Sequence, residues 1–128
     1  MKDFLISRVE SIGHAFHGWA HVLRTQKNAW IHSVIATLVF AVCLWLQIPA
    51  RDWALIILTT AFVFSAEFIN TSIEAVVDLA TEERHPLAKI SKDVGAAAVL
   101  VAALAALVVG LLILAPPLWN KIVLLFAL

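Results

Sequence analysis

Three long stretches almost free of charge dominate this 128-residue sequence, and they leave few folds open. Ala29 to Ile48, Trp53 to Ala80 and Val94 to Ala115 are each 20 residues or longer, the length a helix needs to cross the ~30 Å hydrocarbon core of a bilayer. Backbone N–H and C=O groups find no partners in lipid, so such segments span as helices that satisfy their own groups. Composition agrees, with 62% hydrophobic and 14% charged residues against roughly 45–50% and about 25% in soluble domains. The expectation is an all-α integral membrane protein, one domain over residues 1–128, in which helices over 29–48, 53–80 and 87–115 carry three spans.

The connections set the topology. Pro49, beside Arg51 and Asp52, marks the turn after the first span. Glu82, Glu83, Arg84 and His85 separate the second span from Pro86, which suits the first turn of a helix because its missing N–H would be unpaired there. Pro116 and Pro117 read as the end of the third span, leaving an apolar tail over 118–128 too short to cross again. Lys2, Arg8, Arg24, Lys27, Arg84, Lys89 and Lys92 fall on one side, Arg51 and Lys121 on the other. This asymmetry predicts a cytoplasmic N-terminus and second connection. Trp19 and Trp30 near that interface, and Trp45, Trp53 and Trp119 near the opposite one, agree with it.

Residues 1–27 lack the continuous apolar core and cleavage site of a signal peptide. In this segment Leu5, Val9, Ile12, Phe16, Trp19 and Leu23 recur every three or four residues, opposite Glu10, His14, His17 and His21. That period predicts an amphipathic helix lying in the cytoplasmic headgroup layer. The three histidines read as part of its polar face rather than as a metal site. Gly95, Ala96, Ala97, Ala98, Ala102, Ala103, Ala105, Ala106 and Gly110 crowd the third span with small residues, which let helices approach closely in lipid. Three helices alone make a poor bundle, so a homo-oligomer is expected. Nine basic against nine acidic residues give no surplus to attract nucleic acid, and the lone Cys43 admits no intrachain disulfide.

The second apolar stretch holds an anomaly: Glu67, Asn70, Glu74 and Asp78, at offsets of three, seven and eleven. On a helix these fall within about 80° of one another. A charge near the bilayer centre costs at least ~2.5 kcal/mol, so this face meets protein, metal or water instead of acyl chains. Pairing with basic neighbours fits poorly, because the spans contain no Lys or Arg. A row of acids also suits proton or ion conduction. A third use is a hard divalent cation, magnesium above all, which takes one or two carboxylates plus nucleotide phosphates. Lys92 and Asp93, where the third span begins, lie near the level of Asp78 and Glu74, as a phosphate site requires and a proton path does not. His32, alone in the first span, reads as a hydrogen-bonded core or interface residue rather than as a catalyst.

The stretch Ala66-Glu67-Phe-Ile-Asn70-Thr-Ser-Ile-Glu74-Ala-Val-Val-Asp78, followed by His85-Pro-Leu-Ala-Lys-Ile-Ser-Lys92-Asp93-Val-Gly-Ala-Ala-Ala-Val99, resembles the signature of the prokaryotic diacylglycerol kinase and undecaprenol kinase family. The resemblance covers nearly the whole chain and implies a homotrimeric kinase of the bacterial plasma membrane. Such a kinase phosphorylates a lipid alcohol with ATP and magnesium, in active sites shared between subunits. It further implies Glu67 as the base for the lipid hydroxyl, with Asn70 orienting the site. Glu74 is implied as the metal ligand, and Lys92 and Asp93 as the nucleotide-phosphate pair, with Glu83 and His85 in the nucleotide-contacting connection. Gln26 stands where many members carry a second metal-binding glutamate, which leaves Gln26 and Asp78 as subsidiary ligands. Trp30 and Arg84 also depart from common members. His85-Pro-Leu-Ala-Lys89 is more similar to undecaprenol-type members, so undecaprenol is the expected substrate and diacylglycerol the alternative. The alternative from another class is a non-catalytic assembly factor or an ion-conducting transporter subunit.

Overall fold

The computed structural model of the protein describes residues 1–81 and 83–127, with side chains for all of these except residues 2–5. Lys2 and Leu5, as side chains, and Glu82 therefore lie outside the described residues. Four helices follow in order: α1 (Lys2–Thr25), α2 (Lys27–Leu46), α3 (Ala50–Ala80) and α4 (Pro86–Phe126). No strand occurs among the described residues. The last three helices are long and apolar enough to cross a membrane.

Each break has a local cause. Gln26 is extended, with φ −101° and ψ 114°, and its N–H donates to the Val22 carbonyl, so α1 ends and α2 starts at one residue. At the far end of α2, Gln47 adopts the left-handed conformation with φ 54°. Its N–H donates to the Leu44 carbonyl and the next N–H, of Ile48, to that of Cys43, the paired bonds of a Schellman termination. The apolar contact that accompanies this motif is present, since Cys43 and Ile48 are buried in one cluster with Ile56. After α3, the Thr81 hydroxyl accepts the Glu83 N–H. His85 then caps α4, its Nδ1 accepting the Leu87 N–H, with Pro86 in the first turn as expected.

The helices run up, down and up, so α2's end, α3's start and residues Ile113 and Leu114 of α4 meet in the Cys43 cluster. Gly95, Val99 and Ala102 are the buried residues of α4; their spacing makes one face, and α4 packs chiefly along α3. Part of the small-residue surface is thus used inside the chain, where missing side chains let two backbones close up. By contrast Val9, Ile12 and Phe16 of the α1 stripe are exposed. The last turns of α1 are packed, through buried Val22 and an edge-on contact of Trp19 with Phe68 at 5.9 Å.

The end of the third span differs from expectation. α4 does not stop at Pro116 and Pro117 but passes through both to Phe126, so there is no separate tail from residue 118. Two prolines remove the N–H partners of the Leu112 and Ile113 carbonyls, and membrane helices tolerate this where other contacts hold the chain. Here Lys121 supplies them: its Nζ donates to the Trp45 carbonyl at 2.8 Å and lies 4.5 Å from the Trp45 ring centre. That carbonyl belongs to the last turn of α2, where no intrahelical donor exists. With 31 and 41 residues, α3 and α4 reach about 46 and 62 Å, well beyond the hydrocarbon core.

Candidate active site

The row on α3 descends from solvent into the core. Asp78 is exposed and Glu74 half-buried, whereas Asn70 is 5% and Glu67 1% exposed. Glu67 and Cys43 are the largest fully buried side chains of the protein, an unusual place for a carboxylate because desolvating a charge is costly unless partners compensate. Thr71, one turn on, is buried too and donates its hydroxyl to the Glu67 backbone carbonyl at 2.9 Å.

Amide groups surround the middle of the row. Asn70 Nδ2 donates to Glu74 Oε1 at 3.0 Å, and Gln26 Nε2, from the α1–α2 break, donates to Glu74 Oε2 at 3.3 Å. Both Glu74 oxygens are therefore held in place. Two buried oxygens, Glu67 Oε1 and Asn70 Oδ1, accept no hydrogen bond. A buried acceptor left unpaired costs about 1–3 kcal/mol, and folded proteins retain few of them. The Asn70 oxygen points to a site that is completed by a ligand, whereas Glu67 Oε1 faces a side chain of α2.

At the outer end Lys92 of α4 pairs with Asp78. The pair borders a cleft of about 610 Å³ at the α3–α4 connection, lined also by Thr81, Glu83, Arg84, His85 and Lys89. Asp78, Glu83, His85 and Lys92, all singled out from sequence, meet here. Asp93 is exposed and does not line this cleft. Arg84 and Lys89, not among the expected site residues, add two cations to it. His14, His17 and His21 are exposed along α1, away from these residues.

Two further residues join the site: His32, expected as a hydrogen-bonded core or interface residue, and Gly95, expected only among the small residues of the third span. His32 of α2 places Nε2 3.2 Å from Glu67 Oε1. Its isolation in an apolar span was a signal of intramembrane pairing, but the partner depends on the register of α2 against α3. Gly95 is the other. A methyl group at its Cα would collide with Asn70 Oδ1, so this glycine makes room for the Asn70 carboxamide.

The prokaryotic diacylglycerol kinase family model matches residues 13–114. The chain is 38% identical over 109 residues to the undecaprenol kinase of Bacillus subtilis, covering 85% of this chain and 89% of that protein. It is 40% identical over 114 residues to a diacylglycerol kinase of Synechocystis, covering 88% of this chain and 65% of the longer relative. It is also 34% identical over 95 residues to the diacylglycerol kinase of Escherichia coli K12, covering 69% of this chain and 78% of that protein. With a family match over residues 13–114 and relatives at 38 and 40% identity over most of its length, the chain belongs to the prokaryotic diacylglycerol kinase family of membrane lipid kinases.

Proposed function

We propose that this kinase transfers the γ-phosphoryl group of ATP to the hydroxyl of undecaprenol, giving undecaprenyl phosphate and ADP. The observation that carries the reading is Glu67, a carboxylate fully buried within a span, about 10 Å below Glu74 by helical rise. A lipid hydroxyl arriving from the bilayer meets it at that depth. Above it the row opens on a cleft bearing Lys92, Arg84 and Lys89, which suits a triphosphate arriving from water.

In the reaction Glu67 accepts the hydroxyl proton while the lipid oxygen bonds to the γ-phosphorus. The bond from that phosphorus to the β–γ bridging oxygen breaks, and ADP departs. Lys92 exchanges Asp78 for phosphate oxygens and offsets the charge that shifts toward the leaving group. Asn70 keeps Glu74 in place through its amide N–H. The donors present fit magnesium: the unpaired Asn70 Oδ1 and the Glu74 carboxylate are hard oxygens, and such ions use few protein carboxylates. Glu74 and Asn70 would hold the ion, with Gln26 contributing its amide oxygen after an amide flip and Asp78, once released by Lys92, as a subsidiary ligand. Bound there, magnesium neutralises phosphate charge.

Undecaprenol is favoured over diacylglycerol by His85-Pro-Leu-Ala-Lys89. Purified protein given magnesium, radiolabelled ATP and micelles containing both lipids is expected to label chiefly the prenol. Label confined to phosphatidic acid would reassign the substrate to diacylglycerol, and label in neither would overturn the reading. The same proposal includes a homotrimer with shared sites and a cytoplasmic N-terminus. Exposed apolar residues along α2 and α4 leave room for neighbouring copies as well as lipid. A protein that crosslinks only as a monomer in mild detergent would rule the trimer out.

Gly95→Ala tests the geometry at the centre. The clash falls on the end of a side chain, so Asn70 moves and the helices need not. The variant is expected to keep its melting temperature within a few degrees while kcat drops about tenfold to hundredfold, as displacement of a positioned group does.

A further inference from the structure

The Glu67 carboxylate has a neighbour whose part in the reaction nothing above accounts for. On α2, Ser33 donates to the Ala29 carbonyl and Thr37 to the Ser33 carbonyl, so neither hydroxyl serves another helix. Thr71 spends its hydroxyl on the backbone of Glu67. His32 remains, one turn from fully buried Ala29 on the side of α2 that faces α3. Its Nε2 stands 3.2 Å from Oε1, within reach of a hydrogen bond to an oxygen that has no other partner. Contacts between catalytic groups are commonly this loose before substrate binds.

We infer that His32 is the positioning residue of this kinase, donating Nε2–H to Glu67 Oε1 so that the second carboxylate oxygen is aimed at the substrate hydroxyl. The inference rests on the reading of Glu67 as the base. A neutral imidazole carries one N–H and one bare nitrogen, and a partner on one nitrogen fixes which is which. Donation to Oε1 removes the unpaired acceptor and stops the carboxylate from turning about its terminal bond. The benefit falls on the chemical step, because His32 contacts the base and lies apart from the Lys92 cleft.

The test uses the full chain in lipid micelles. His32→Leu is expected to lower kcat about tenfold to hundredfold, the scale of misplacing a reacting group, with KM for ATP and lipid within about twofold, the signature of a loss confined to the transition state. His32→Gln, which retains an N–H at similar reach, is expected to recover most of the rate. Nitrogen NMR of labelled histidine should show the Nε2–H form, with a resonance that moves in Glu67→Gln. An unchanged kcat in His32→Leu, an equal loss in both variants, or a raised KM at normal kcat would overturn the inference. If the unmodified protein phosphorylates no lipid, the functional reading fails instead, and the nitrogen resonance still decides whether His32 donates to Glu67.

Discussion

Replacing Glu67 by glutamine is expected to lower kcat by about 10²–10⁴-fold, the contribution of a well-placed general base. The substitution conserves size and removes only the ability to take a proton. The side chain is 1% exposed with one oxygen unpaired, so a neutral amide removes a desolvated carboxylate and the fold should be at least as resistant to heat. Activity and stability therefore move in different directions, as they do at sites where function is retained at the expense of stability. Transfer from labelled ATP and melting in detergent, measured on one preparation, check both. Normal turnover would reject Glu67 as the base, and lost activity together with a lower melting temperature would mark it as structural.

Lys92→Met is the second large effect. Removing one preorganised charge from a group-transfer site costs about 10²–10³-fold, and the loss is expected in kcat/KM for ATP. The fold should hardly respond. Lys92 and Asp78 both have exposed side chains, and such pairs contribute ~0–1 kcal/mol. Lys92→Arg keeps the charge and is expected to recover part of the rate. Titrating ATP against each variant at saturating lipid separates the outcomes. A Lys92→Met enzyme with ordinary ATP dependence would move the phosphate contact to Arg84 or Lys89, which line the same cleft.

Period and length in the sequence determined three spans, the helix preceding them and the acid row on a single face. These follow from short-range physics: a lipid-embedded segment must bond its own backbone, and residues three and four apart must share a side. Local reasoning failed at Pro116 and Pro117, where intrinsic propensity ends a helix but α4 continues to Phe126, with Lys121 bonded to Trp45 76 residues away. Only the tertiary structure decided that His32 faces Glu67, that Gln26 reaches Glu74, and that Gly95 yields its side-chain volume to Asn70. Each is a matter of how far one helix slides along another. A shift by one residue moves a side chain about 1.5 Å along the axis and 100° around it, and no pattern within a single helix records that choice.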